Sequence, residues 1–299
     1  MKPGYKFISA LLALLVAGAF TIATPAENAR QQKVSTAFKQ AFALADDGKL
    51  VEAEKILNGL LADTNATEET AQILAFRGYI HAQGGQWQDA ATDLKRVIEM
   101  DPSDHVPWYL LTPVLVQTGD IAAYQAHCKA MLDRFGKTTH PEVAERTAKS
   151  CLLLPFAVGP ADLVLVGKVA DNAVTLGKNS PWAHWFQFTK GLAEYRQRHF
   201  TGAIERMQLA QKGLVPAHDA GQDMCEADTC FVLAMARHHL KQPDEARAAF
   251  AHGRAIVKTR LPKLDSKDLG LVWLDVVMTY TLMQEAEDTV ESSPAAEQK

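Results

Sequence analysis

The feature that most limits what this chain can fold into is one stretch, Ala71 to Asp104, reading AQILAFRGYIHAQGGQWQDAATDLKRVIEMDPSD. Apolar residues recur in it at helical spacing, and a glycine pair divides it. Counting Ala71 as position 1, Gly78 falls at 8, Ala90 at 20, Leu94 at 24, Val97 at 27 and Pro102 at 32. Small residues at 8 and 20 let two antiparallel helices approach closely. Gly84-Gly85 supplies the turn, Trp87 plugs the space beside it, and Asp101-Pro102 ends the second helix. A chain so patterned is all-helical. Runs of alternating β-branched residues bounded by turn dipeptides are nearly absent.

The same spacing returns along the chain. Val34 to Thr67 places Ala41 at 8, Gly48 at 15, Ala53 at 20 and Leu57 at 24. From His105, Trp108 is at 4, Leu111 at 7, Gly119 at 15 and Cys128 at 24, with Tyr124 replacing the small residue at 20. A degenerate pair runs from about Pro141 to Ser180, broken at Pro155–Pro160. Further units begin near His184 (Gly191 at 8, Phe200 at 17, Ala203 at 20) and near Ala227 (Ala234 at 8, Ala246 at 20, Phe250 at 24). A last amphipathic stretch, Ser266 to about Val290, predicts a capping helix, since stacked units bury apolar faces only against neighbours.

This pattern resembles the 34-residue tetratricopeptide repeat (TPR). The resemblance implies an α-solenoid, a right-handed superhelix of about six helix pairs plus the C-terminal cap. A second resemblance covers residues 105–290. The block CKAMLDRFGKTTHPEVAERTAKSCLLLP, Cys128 to Pro155, is similar to the TPR region that follows serine/threonine kinase domains in planctomycete-type bacteria. The kinase half has no counterpart in the sequence, which lacks a Gly-rich phosphate loop and an HRD-type loop. Asp268-Leu269-Gly270 is only a near miss to DFG.

In the TPR family the first helix of each pair lines a binding groove. By that resemblance the groove here is lined by Gln72, Tyr79, Gln83, Tyr109, Gln117, Trp185, Phe188, Tyr195, Arg196, Phe231, Met235, His238 and His239. Aromatics and Arg dominate interface energetics, so such a groove suits an extended or helical peptide with apolar anchors. The Lys/Asn pairs by which some TPR domains grip chaperone carboxylate tails are missing. Positions 5 and 9 read Phe38/Phe42, Ala75/Tyr79, Tyr109/Pro113, Phe188/Leu192 and Phe231/Met235. Trp87 and Trp108 are assigned to packing, and Trp273 to docking of the cap.

Residues 1–26 read as a secretory signal. Lys2 and Lys6 precede an uncharged apolar run, Phe7–Ala23, and small residues follow. The run also approaches the ~20 residues that span a bilayer. The chain is therefore expected in the periplasm or secreted, or else anchored in the inner membrane facing the periplasm. The domain expectation is a signal at 1–26, a solenoid over 27–290 and a polar tail at 291–299. Export permits disulfides. Cys225 and Cys230, in CEADTC, are close enough to close a small loop, whereas Cys128 and Cys151 read as buried small apolar residues.

The chain holds 31 basic and 35 acidic residues, so no cationic excess suits it to a phosphate backbone and nucleic acid is disfavoured. No motif calls for a cofactor or a metal. His238 and His239 are adjacent, about 100° apart on a helix, and do not form a chelating pair. Neither a G-x-S-x-G elbow nor an H-E-x-x-H helix occurs. The expected function is a non-catalytic scaffold binding a protein or peptide in its groove. The alternative is a small-molecule sensor or enzyme with a pocket shaped by the irregular Pro155–Pro160 and Cys225–Cys230 segments.

Overall fold

The computed structural model describes residues 25–64, 67–214 and 220–291. Among them are thirteen α-helices and no strand. They run α1 (Pro25–Asp46), α2 (Leu50–Asp63), α3 (Thr67–Gln83), α4 (Trp87–Met100), α5 (His105–Thr118), α6 (Ile121–Phe135) and α7 (Pro141–Leu152). Then follow α8 (Pro160–Leu176), α9 (Ala183–Arg196), α10 (Phe200–Lys212), α11 (Ala220–His239), α12 (Pro243–Arg260) and α13 (Trp273–Glu291). The order is six successive pairs and a terminal helix. The candidate signal, residues 1–24, and the tail, 292–299, lie outside the described residues. Among the described residues no helix is long and apolar enough to cross a membrane.

The close approach expected at positions 8 and 20 is present. A Cβ built on Gly78 would lie 3.1 Å from Leu94 Cγ, 3.2 Å from Asp93 Cβ and 3.4 Å from the Ala90 carbonyl. One on Gly191 would lie 3.0 Å from Arg206 Cβ and 3.3 Å from the Ala203 carbonyl. Any larger residue would push the paired helices apart. Arg77 clamps α3 to α4 through two hydrogen bonds donated to buried Asp93, at 2.8 and 2.7 Å. The side chains of Asp104 and Asp120 cap α5 and α6, accepting from Val106 N and Ala123 N, each at 2.9 Å.

The chain falls into two compact units. Unit 1 comprises the residues up to Gly119 together with Pro262–Leu274, and unit 2 comprises Asp120–Leu261 together with the chain from Asp275. In unit 1 the segment before α13 is not helical, so the terminal helix starts at Trp273 rather than near Ser266. That segment bonds to the end of α3 instead. Leu269 N donates to the Gln83 carbonyl at 2.9 Å. Gln83 Nε2 donates to Asp268 Oδ1 and to the Ala45 carbonyl, both at 2.9 Å, and the Tyr79 hydroxyl donates to the Leu271 carbonyl. Trp273, fully buried, packs edge-on to Tyr79, with ring centroids 5.6 Å apart, and beside Trp87 at 6.4 Å. The loop satisfies orphan carbonyls at a helix end, which is why it forgoes helical structure of its own.

In unit 2 the rest of α13 packs on the first helices of the pairs. Glu285 pairs with Arg196 of α9 (Nη2–Oε2 2.7 Å), and Thr279 faces Asp228 of α11. The sixth unit begins earlier than its repeat register suggested, because α11 starts at Ala220. Cys225 and Cys230 therefore do not close a loop. Both lie buried and unbridged inside α11, where residues five apart point about 140° away from each other. Cys128 and Cys151 are buried as expected; Cys151 Sγ donates to the Cys128 carbonyl at 3.4 Å, and the neighbouring Cys128 thiol, together with burial, holds the Cys151 pKa well up.

Candidate functional site

Most of the residues expected to line a groove are core. Tyr79, Tyr109, Phe188, Tyr195, Phe231 and Met235 are all buried. Trp185, Arg196, Gln117 and His238 are half-buried, as is Gln72, whereas Gln83 is buried and His239 is exposed. Tyr79, Gln83 and Arg196 are engaged by the C-terminal segment, whereas Phe231 packs on Phe250 of its own helix pair, ring centroids 6.0 Å apart. Tyr79 and Gln83 already hold the Asp268–Leu271 loop in unit 1. In unit 2, α13 reaches α9 through the Glu285–Arg196 pair and α11 through Thr279 beside Asp228. Arg196 is a structural residue: besides Glu285, it donates to the carbonyls of Leu152 at 2.9 Å and Leu153 at 3.1 Å. These are the last carbonyls of α7, left without helical partners.

A buried polar cluster lies on the same inner helices. Lys149 pairs with Glu145 at 2.9 Å and sits 4.6 Å from the Trp185 ring centroid, while Thr189 donates to Glu145 at 2.9 Å. Burial pushes the Asp228 carboxyl up to about 8, with Thr279 pulling the other way and Asp275 adding to the rise. Burial also raises Asp275, opposed by Lys149. None of these groups lines either of the two loop-walled cavities; Lys149, Glu145 and Thr189 satisfy one another, whereas among the described residues Asp228 Oδ1 and Thr279 Oγ1 are buried without a hydrogen-bond partner. Among the described residues no group of three or more His, Cys, Asp or Glu is placed to hold a metal.

The expected irregular break is real, and it builds a site. Between α7 and α8 the chain makes a loop that walls two cavities in unit 2. One, of about 570 Å³, lies towards Gln125, Lys129 and Asp162. The other, of about 330 Å³, lies between Leu154–Val158 and the aromatic group Tyr195, Phe200 and His239. Phe200 and His239 stack at 4.5 Å with planes 13° apart, and Tyr195 lies about 6 Å from each. Burial pushes the Tyr195 phenol to about 12, Glu285 adding and Arg196 opposing. His239 is pushed down by desolvation and by His238, Arg198 and Lys241.

The loop is tied at several points. The Tyr124 hydroxyl donates to the Ser150 carbonyl at 2.7 Å and accepts from Leu154 N at 3.2 Å. That explains why a tyrosine replaces the small residue at position 20 of its repeat. Gln125 Nε2 donates to the Phe156 carbonyl at 2.9 Å. Phe156 is thereby held with φ at +61° and its side chain 87% exposed between the two cavities.

Strained backbone points to the same place. Position 15 of each repeat adopts the left-handed conformation that ends the first helix. In unit 1 it is glycine every time: Gly48, Gly85 and Gly119, with φ of 74°, 74° and 73°. In unit 2 the equivalent residues are Arg198 (φ 65°) and Lys241 (φ 61°). The hydrogen bonding is the same: Gln86 N donates to the His81 carbonyl, His199 N to Glu194 and Gln242 N to Arg237, each at 2.8–3.0 Å. A side chain in this conformation costs roughly 1 kcal/mol, partly offset by a cation at a helix C-terminus. Among the described residues these two and Phe156 are the non-glycine residues with positive φ. The periodicity of the sequence hid this, because neither side chain disturbs the helical pattern.

No protein-family model matches the chain. Over 108 residues it is 30% identical to the rhomboid protease GluP of Bacillus subtilis (strain 168), covering 36% of this chain and 20% of that protein. The chain thus matches about a fifth of that relative's length. Three solved structures are similar in fold. The APC/C hetero-tetramer Cut9-Hcn1 gives a TM-score of 0.52 at 15% identity, covering 85% of this chain and 42% of that one. PilF of Pseudomonas aeruginosa gives 0.50 at 12%, covering 77% and 95%. The assembly chaperone of RpL4, Acl4, gives 0.51 at 13%, covering 87% and 99%. At these identities the likeness is one of fold, and the fold is the TPR-type α-solenoid.

Proposed function

We propose that this protein is a non-catalytic scaffold that binds another protein outside the cytoplasm, through the loop-walled face of unit 2. The inner helical face first expected to bind is engaged at Tyr79, Gln83 and Arg196 by the chain's own C-terminal segment. The carrying observation is Phe156: a large aromatic, 87% exposed, held in a strained conformation beside a cavity of about 330 Å³. An exposed anchor on a fixed loop loses little entropy on docking. Similarity in fold to a subunit assembly and to an assembly chaperone supports a role in protein association. The resemblance of residues 105–290 to regions that follow bacterial kinase domains supports a place in a signalling or envelope complex.

The test is crosslinked capture of partners from native envelope extract by the full mature chain and by Phe156→Ser. Recovery of a discrete partner by the parent and its loss with the variant supports the reading; equal recovery by both defeats it. N-terminal sequencing of the native protein separates a cleaved signal from a retained anchor. A small-molecule sensor is favoured by one observation, the enclosure of Tyr195 and His239 in the same cavity. Saturable binding of a metabolite, with no protein partner, would select it.

A further inference from the structure

We infer that the cavity beside Phe156 is a recognition site for an acidic peptide segment carrying one large apolar side chain. The inference rests on the protein-binding reading above and names the chemistry of the partner.

The cavity wall supplies half of the specification. Leu154, Phe156, Phe200 and the Tyr195 ring present carbon to a space of about 330 Å³. That is near the lower limit for ligand pockets, large enough for a single bulky side chain with its backbone and short for a lipid chain. The cations supply the other half. Arg196 lines the cavity but is neutralised by Glu285. Arg198 also lines it, resting over the Phe200 ring with its guanidinium 5.7 Å from the centroid. Lys241 does not line the cavity but stands two residues after His239 of its wall, in the turn that ends α11. Among the described residues neither Arg198 nor Lys241 has a carboxylate within ion-pair distance, and nearby Glu194 is taken by Lys190 and His199. One unneutralised cation, Arg198, therefore lines an apolar hole, and a second, Lys241, stands two residues beyond its wall.

Their position indicates that this is a built feature. The repeats of unit 1 place glycine at the same backbone position, where it is relaxed. Both corresponding repeats of unit 2 carry a long basic residue there, and the third strained residue, Phe156, stands at the same cavity. Strain maintained at one locus by several residues is the mark of a site under functional demand. Charge complementarity then selects an anionic partner.

The strained turns also provide a clean test. In an Arg198→Gly/Lys241→Gly double variant the charges go while the backbone conformation becomes easier, so the Tm should fall by no more than about 2 °C or should rise. The probes are two fluorescein-labelled hexapeptide pools with Phe, Trp or Leu as anchor. One pool is flanked by Asp and Glu, the other by Lys and Arg. The full mature chain should bind the acidic pool, more weakly in 0.5 M than in 0.05 M salt, and the double variant should bind it about tenfold more weakly. Equal binding of the two pools, undiminished binding by the double variant, or no binding of the acidic pool up to roughly millimolar concentration overturns the inference. So does binding to phosphatidylglycerol vesicles with neither pool bound, which would make the site a membrane contact. Crosslinked capture separates the two levels. A partner lost with Phe156→Ser but kept by the double variant leaves the scaffold standing and removes the charge recognition.

Discussion

The two units build the same helix–turn–helix joint and finish it differently. In unit 1 each turn is closed by glycine, and the segment before α13 is sewn to the end of α3 by backbone hydrogen bonds. In unit 2 the equivalent turns carry Arg198 and Lys241, α13 is tied to α9 by the Glu285–Arg196 pair, and a tied loop holds Phe156 in solvent. Unit 1 follows the rule of least strain. Unit 2 departs from it at three residues, two of them lining one cavity and the third standing two residues beyond its wall. Backbone conformation, common to both, is thus separable from the side chain placed on it, and the departures identify where the molecule offers chemistry.

The largest effect that would test this contrast is loss of the unit 1 anchor. Trp273→Ala removes a fully buried indole from between Tyr79 and Trp87, and should cost about 3–5 kcal/mol in urea unfolding. A cost under about 1 kcal/mol would show that the C-terminal segment is not integral to unit 1. In unit 2 the corresponding anchor is polar. Arg196→Met leaves Glu285 and the carbonyls of Leu152 and Leu153 without their donor, and should cost about 2–4 kcal/mol by the same measurement.

Asp228 gives an effect of similar size with a distinct pH signature. Its folded pKa, about 8, lies above the value of about 3.9 in an unfolded chain. Between those values the folded state keeps a proton that the unfolded state releases, so stability is highest below pH 4, falls as pH rises to about 8, and then levels. Asp228→Asn should abolish that slope and raise stability at pH 7 by on the order of 4 kcal/mol. An unchanged pH profile of unfolding would mean that Asp228 is ionised in the fold.

The smallest effect bears most directly on the comparison. Gly85→Ala meets no atom within 4 Å, so its cost is that of the left-handed backbone alone, about 1 kcal/mol. Arg198→Gly should go the other way or be neutral, within about 1 kcal/mol. Thermal unfolding of the pair checks the signs; a clear loss of stability in Arg198→Gly would mean that its side chain, and not the turn, holds unit 2 together.

Much of the fold was legible because it is written in spacing. Gly78, Ala90, Gly191 and Ala203 are small where helices touch, and a contact of that kind is periodic in sequence as it is in space. The break at Pro155–Pro160 was legible as an interruption of the same period, and it does shape a cavity. The candidate groove was legible only as a surface, since family spacing assigns faces to helices without saying what covers them. Tyr79, Phe231 and Met235, assigned to the groove by that spacing, are buried.

Sequence alone determined that this chain makes paired helices with glycine-tight crossings, because steric exclusion between neighbours is local and repeats with the residues. Only the tertiary structure decided that residues 268–271 bond to the end of α3 and Glu285 to Arg196, that Arg196 spends its remaining donors on the end of α7, and that Cys225 and Cys230 stay apart within α11. It alone also showed that two basic residues occupy left-handed turns beside an exposed phenylalanine. Those outcomes rest on contacts between segments up to 192 residues apart, as Tyr79 and Leu271 are, and on φ values, neither of which leaves a period in the sequence.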